Sequence, residues 1–476
     1  MGSQPTAARK QRRSHAGGAA RGIVPVLAVV LAYLAVVGGL AAARHAMFQT
    51  QVWDLGVFVQ SFWNTTQGRF FENSLEGASH LRTHFSPFLV LLVPAYAAAP
   101  TPYMLLWMQS FALALAAVPL FALASARLGR GAALVVTAAY LLYPWLHAVN
   151  LFDFHEEPFA VPLIFAAYLA IERRRFVPAA LCLALAALTK ESATLVVVCV
   201  GFSLLLRKET RRFGAGVVLV AGLLFAGVSR FLMGGRAAEV FDLCYGHLGH
   251  TPLEVLRNAI HEPGRVLGFV IKPERVMYAV RLLAPVAFVP LAAPLELIPA
   301  LPILGQNLLS RETNLISNQY QYDVLIIPFL FLALVRALAR FRDLAGWPGR
   351  FAHIVVAVAA ILAYTWLSPA RPAVLAVVPG LLDARPPGAD SVLARVPRGV
   401  SLAASTHLAA HLAERRELYL PGTEPHPTDA VVVDGAERFP FGTNAEFQAY
   451  VDSLGRSRRY QSTLFAGRYL LMVRRP

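Results

Sequence analysis

Long apolar runs separated by short polar breaks dominate the chain up to about residue 370. They cover 22–43, 103–124, 131–149, 158–171, 176–189, 192–206, 213–233, 276–292, 294–304, 322–338 and 351–369. A perpendicular membrane crossing needs about 20 residues, so the longer runs predict spanning helices and the shorter ones tilted or broken helices. Pro119, Pro144, Pro158, Pro162, Pro178, Pro285, Pro290, Pro294, Pro299, Pro302 and Pro328 interrupt this pattern. Such breaks are tolerated where neighbours or water satisfy the freed backbone groups. The pattern predicts an all-α polytopic membrane protein of about 11 transmembrane helices.

From residue 383 the pattern shortens. Val400–Ala404, Glu417–Leu420, 429–434 and 468–473 read as strands, and Thr406–Arg416 and Asn444–Leu454 as helices. That alternation predicts a small α/β domain over 383–476. Three divisions follow: a tail 1–21, a transmembrane domain 22–382 with a loop 44–102, and the C-terminal domain.

Composition agrees with a membrane location. The chain is 57% hydrophobic and 15% charged, with a mean hydropathy of +0.53, and a soluble domain of this size needs more polar surface. Cys182, Cys199 and Cys244 form no disulfide framework.

Charge sets the orientation. Residues 1–21, 127–130, 172–175, 207–212 and 336–350 hold 18 Lys/Arg against Glu172, Glu209 and Asp343, which accounts for the formal net charge of +15. Basic clusters alternating with apolar runs follow the positive-inside rule. They argue against a nucleic-acid partner and place these segments in the cytoplasm. The run 22–43 is too long for a cleaved signal segment and reads as a retained signal anchor. Threading the eleven runs with all five clusters inside requires that 85–99 not cross, so it is expected as a helix on the outer surface. The loop 44–102, the Asp153 motif, Lys190-Glu191, the loop 234–275, residues 305–321 and the C-terminal domain then all face outward.

That face carries the candidate chemistry. Asp153-Phe-His-Glu-Glu157 packs three carboxylates and an imidazole into five residues between two apolar runs. Charges beside a bilayer are costly and point to function. If extended, Asp153, His155 and Glu157 share a face; if helical, Asp153 lies beside Glu156 and Glu157. Either arrangement suits a divalent cation such as Mg or Mn, or an acid/base pair; the plainer alternative is that Glu156 and Glu157 complement the dipole of the helix after Pro158.

Asp54, just after the first run, suits a general base, or else a helix cap at the interface. His84, near Arg82, suits phosphate binding, metal binding or proton relay. Lys190 and Glu191 interrupt the apolar stretch 176–206, as a phosphate-holding pair or as the tip of a hairpin. Gln306, Asn307, Arg311, Asn314, Asn318, Tyr320 and Tyr322 form a polar segment whose composition suits sugar or phosphate contacts. No Walker loop, nucleotide-binding glycine motif, HExxH or paired CxxC is present.

The ordered series Asp54-Leu-Gly with Gln60, His84-Phe-Ser-Pro, Phe152-Asp-Phe-His155 and Lys190-Glu191 resembles a bacterial family of predicted membrane proteins, the domain of unknown function numbered twenty seventy-nine. That family is more distantly similar to the GT-C membrane glycosyltransferases. The resemblance implies a GT-C-like fold in the bacterial cytoplasmic membrane, N-terminus inside and C-terminal domain outside. It also implies transfer of a sugar from a polyprenyl-phosphate carrier, a membrane lipid, to an acceptor in the cell envelope. Asp54 stands where that superfamily places its catalytic base, as a lone Asp rather than an Asp-Glu pair. Gln60, Arg82, His84, Lys190, Glu191, Arg311 and Tyr320 become expected substrate contacts, and Asp153, His155, Glu156 and Glu157 an expected sugar or metal site. A transporter or flippase using the same acids as a relay, or an envelope scaffold without catalysis, is the alternative.

Overall fold

Proline and glycine punctuate the helices as their backbone chemistry requires. The helical stretch Pro102–Leu128 begins with a proline in its first turn, where no N–H is needed. It ends before Gly129, whose φ of 81° favours glycine. In the computed structural model, the structure describes residues 24–232, 236–344, 347–371, 375 and 385–475. The basic tail 1–21 and the boundary at 382/383 lie outside the described residues.

Among the described residues three helices are long and apolar enough to cross a bilayer: Val24–Ala46, Pro102–Leu128 and Arg211–Arg230. A fourth candidate is the pair Arg130–Leu141 and Pro144–Leu151, bent by 42° where Pro144 interrupts the ladder. The expected count of about 11 spans is not met by helices of that length. Phe176–Ala187 and Glu191–Leu205 are short apolar helices joined at a tight tip. The runs 276–292 and 294–304 are not two continuous helices. Pro273–Leu283 gives way to 3-10 turns at Ala284–Val286, Val289–Ala292, Pro294–Glu296 and Ile298–Ala300 before Leu301–Leu309. Pro285, Pro290, Pro294 and Pro299 each remove an amide donor, which breaks the ladder repeatedly. The expected surface helix 85–99 is a 3-10 turn Pro87–Leu92 followed by the short helix Val93–Ala98.

Helices Glu191–Leu205 and Arg211–Leu232 pack closely at two glycines. A Cβ on Gly214 would stand 2.8 Å from the Gly201 carbonyl oxygen, so small residues let these backbones approach.

Four of the five basic clusters meet at one end of the bundle. Glu172 takes Arg127 at 2.9 Å and Arg336 at 3.6 Å, while Glu296 takes Arg336 at 3.0 Å and also pairs with Arg207. Helix Ala160–Glu172 runs from there to Glu157, and Phe176–Ala187 runs to Lys190. The basic clusters and the acidic motif therefore sit at opposite ends of the same helices.

The C-terminal residues form a five-stranded mixed sheet, in the order Leu418–Tyr419, Leu402–Ala404, Ala430–Asp434, Tyr469–Arg474, Tyr460–Phe465. The first three strands are parallel and the last two antiparallel. Strand Tyr460–Phe465 was not among the expected elements, and the first helix is shorter than expected, Thr406–His411. Helix Asn444–Arg456 begins with a Thr443/Glu446 capping box. The sheet's inner face shares a core with the first loop: Leu402, Leu418 and Val432 pack in one cluster with Val52, Phe62 and Tyr96.

Candidate functional site

The 153–157 segment lies in the short link between helix Pro144–Leu151 and the 3-10 turn Glu157–Phe159. Its side chains are deeply buried, with Asp153 2%, His155 4% and Glu156 0% exposed. It is neither extended nor helical throughout. Asp153 takes a left-handed φ of 49°, a conformation Asp tolerates better than most residues. The four groups therefore do not share one face but diverge to three partners.

Asp153 Oδ2 accepts the backbone N–H of Gln51 at 2.7 Å. His155 Nε2 stands 3.3 Å from Asp54 Oδ1. Lys190 Nζ lies 2.8 Å from Glu157 Oε1 and 3.2 Å from Glu156 Oε1. Glu191 accepts from the backbone N–H of Phe85 at 3.0 Å, and its other oxygen lies 3.1 Å from His84 Nδ1. Four segments distant in sequence thus converge: the turn after the first span, the 84–85 link, the 153–157 link and the hairpin tip at 190.

Electrostatics follow from burial and pairing. Burial pushes the Asp153 carboxyl up to about 7, against the bond from Gln51. Burial opposes the charge on Lys190, yet Glu156 and Glu157 hold its ammonium well above the usual lysine range. Burial also opposes a charged His155, and the Asp54 bond outweighs it, raising the imidazole pKa. Glu156 ends below the usual carboxylate range, because Lys190 and the nearby histidines overcome its burial. The Tyr322 phenol is raised by burial and by Asp54, with Lys190 opposing, so Tyr322 lies in the fields of both. Tyr320 closes the same edge, its ring 4.5 Å from Phe152, which stacks on His155 at 5.5 Å.

Three expected substrate contacts fall elsewhere. Gln60 is fully buried and structural: its amide donates to Ser74 Oγ at 2.9 Å and to the carbonyls of Arg415 and Arg416 at 3.2 and 3.0 Å. A polar residue inside a short amphipathic helix gave no hint of a partner 355 residues away. Arg82 lines an outer cleft against the C-terminal domain. Arg311 donates its backbone N–H to the Cys244 carbonyl at 2.9 Å and lies near His247, Arg265 and Arg275, a separate basic group.

One support of the 153–155 link lay outside the expected residues. Gln109, in the middle of Pro102–Leu115, donates to the Asp153 carbonyl at 2.8 Å and accepts the His155 N–H at 2.7 Å. A lone glutamine within an apolar run was the available signal. Among the described residues no group of three or more His, Cys, Asp or Glu is arranged to hold a metal ion.

Beside the site opens an apolar cavity of about 680 Å³, whose lining includes Phe88, Met108, Phe111, Phe159, Leu163 and Arg173. Its upper end adjoins the hairpin tip, where the Phe88 N–H donates to the Leu188 carbonyl at 2.9 Å. Its lower end reaches Arg173, in the basic cluster at the other end of the bundle.

The overall fold is similar to that of ArnT from Cupriavidus metallidurans bound to undecaprenyl phosphate, with a TM-score of 0.57 and 13% identity over 94% of this chain and 97% of that one. The apo state of the same protein gives a TM-score of 0.52 and 13% identity, over 96% and 98% of the two chains. At such identity the likeness is one of fold. No curated protein sequence matches the chain. The motif series from Asp54 to Glu191 lies within residues 44–446, which match the model for a predicted membrane protein family, DUF2079, and the chain belongs to that family.

Proposed function

We propose that the protein is a membrane glycosyltransferase that moves a sugar from a polyprenyl-phosphate carrier to an acceptor at the outer face of the bacterial cytoplasmic membrane. The observation that carries this is the bracketing of one short segment: Asp54 meets His155 on one side, and Lys190 meets Glu156 and Glu157 on the other. The Asp54 carboxylate takes the proton of the acceptor hydroxyl as its oxygen bonds to the anomeric carbon. The bond from that carbon to the phosphate oxygen breaks, and its electron pair leaves with the lipid phosphate. Lys190 and His84 stand where that anion would gather, and fixed charges in a desolvated site stabilise developing charge strongly. His155 positions Asp54, and Gln109 positions His155.

The apolar cavity supports a lipid carrier. It opens beside the hairpin tip, and its lining is apolar apart from Arg173, as an isoprenoid chain would require. The separation of the basic clusters from the acidic motif supports an outward-facing site.

The test incubates purified, detergent-solubilised protein with a panel of polyprenyl-phosphate sugars, in Mg²⁺, in Mn²⁺ and in EDTA. Wild type is expected to turn over one donor, and Asp54→Asn to lose about 10²–10⁴-fold of that rate. Undiminished turnover by Asp54→Asn would remove Asp54 as the base. The EDTA arm reads whether the carboxylate cluster works with a cation.

A further inference from the structure

Between the first loop and the C-terminal domain lies a cavity of about 990 Å³ that the transfer chemistry above does not use. One wall is Trp53, the residue before Asp54, which is 40% exposed. Phe70, 56% exposed, and Tyr419 add two further aromatic faces to the lining. Aromatic rings left facing water in a built cavity are suited to stack on a ligand that is apolar on one face and polar at its edge. Sugar rings have that character, with C–H faces and hydroxyl rims.

The lining holds Arg69, Arg82 and Arg416 against Glu72, Glu76 and Glu417; Glu72 has no side-chain partner among the described residues, and Arg69 donates to Asn64 Oδ1 at 2.9 Å. Glu76 is engaged by Asn73 Nδ2 at 2.7 Å and by His80 Nδ1 at 3.0 Å. Glu417 lies 3.6 Å from His426 Nε2, a charge pair only when that imidazole is protonated. Arg82 and Arg416 line the same cavity, are exposed, and have no side-chain partner among the described residues. The cavity therefore offers two free guanidinium forks, the geometry that recognises carboxylate or phosphate. It also continues: Arg416 and Glu417 line a second cavity of about 360 Å³ that reaches His426 and Arg474. A trough of that extent is longer than one sugar unit needs.

We propose that this trough binds the acceptor, and that the acceptor is an anionic saccharide. Its rings lie on Trp53, Phe70 and Tyr419, and its acidic groups on Arg82 and Arg416. Its role as acceptor rests on the transferase reading, whereas saccharide binding stands without it. The walls are preassembled, because Ser74 Oγ accepts the Leu418 N–H and donates to the Leu418 carbonyl, both at 2.7 Å.

The experiment measures equilibrium binding to the full-length protein in detergent, with tetragalacturonate, phosphorylated maltotetraose and neutral maltotetraose as probes. The acidic probes are expected to bind about tenfold more tightly than the neutral one, a difference of about 1.4 kcal/mol. That preference is expected to vanish in Arg82→Ala/Arg416→Ala and to survive in Arg82→Lys/Arg416→Lys. Trp53→Ala is expected to weaken all three probes. Carboxylate against phosphate is read from the two acidic arms. Equal binding of neutral and acidic probes, or binding of none, would overturn the proposal. Saccharide binding is also measured in Asp54→Asn, where it should persist. Donor turnover without saccharide binding would sink the trough alone; saccharide binding without donor turnover would sink the transferase reading and leave the trough as a saccharide site.

Discussion

Gln109 Oε1 accepts the backbone N–H of His155 at 2.7 Å, so a helix in the apolar interior sets the position of the imidazole that holds Asp54. The same amide donates to the Asp153 carbonyl at 2.8 Å. Replacing it by leucine strands both backbone groups in a buried place, at about 1–3 kcal/mol each. Gln109→Leu is expected to lower the melting temperature in detergent and to cut turnover far more than donor affinity. Unchanged kcat in a stable Gln109→Leu protein would show that His155 needs no such support.

Lys190 is the cation for two buried carboxylates. Lys190→Met leaves Glu156 and Glu157 uncompensated, and breaking a buried pair in this way costs about 3–5 kcal/mol. The triple variant Lys190→Met/Glu156→Gln/Glu157→Gln removes the whole charge group and is expected to recover much of the lost stability without recovering transfer. Restored transfer in the triple variant would assign Lys190 a structural role alone.

These partners divide what the chain discloses from what it hides. Lys190 was legible as the polar tip between two short apolar runs, and the opposition of basic clusters and acidic motif followed from charge alone. Its bonds to Glu156 and Glu157 were not, because nothing local in a sequence specifies contacts across more than thirty residues. The Asp153 motif was legible as a charged break between apolar runs but not in its geometry: a single left-handed residue sent its side chains to different partners. The partners of Gln60 were hidden for the same reason, since they lie in a domain at the far end of the chain. The proline-rich segment 284–300 kept the hydrophobicity of two spans but lost the backbone donors that continuous helices need.

Asp153 makes stability depend on pH. Its folded pKa of about 7 lies above the unfolded value near 3.8. The neutral form is favoured in the fold, so its contribution is fully present below pH ~4 and is lost as pH rises through about 7. The slope is at most ~1.4 kcal/mol per pH unit. Melting temperatures taken across that window should fall for wild type and flatten for Asp153→Asn; parallel curves would refute the assignment.

The C-terminal domain is expected to loosen when its stitching to the first loop is cut. Gln60→Leu removes bonds to Ser74, Arg415 and Arg416. Limited proteolysis should then release fragments from 385–475 faster than in wild type, by several-fold, while the helices resist. Identical cleavage rates would mean that the shared apolar core alone holds the domain.

The bonds between Ser74 and Leu418, 344 residues apart, also constrain the order of manufacture. The ribosome delivers the first loop early and the strand that completes it near the end, so most of the bundle must be inserted before the two can meet. Until then Trp53 and Phe70 face an unfinished surface, open to chaperones and proteases. A chain stopped before residue 402 would carry Asp54, His155 and Lys190 intact and still be a substrate for quality control, since the part that closes its outer wall is made last.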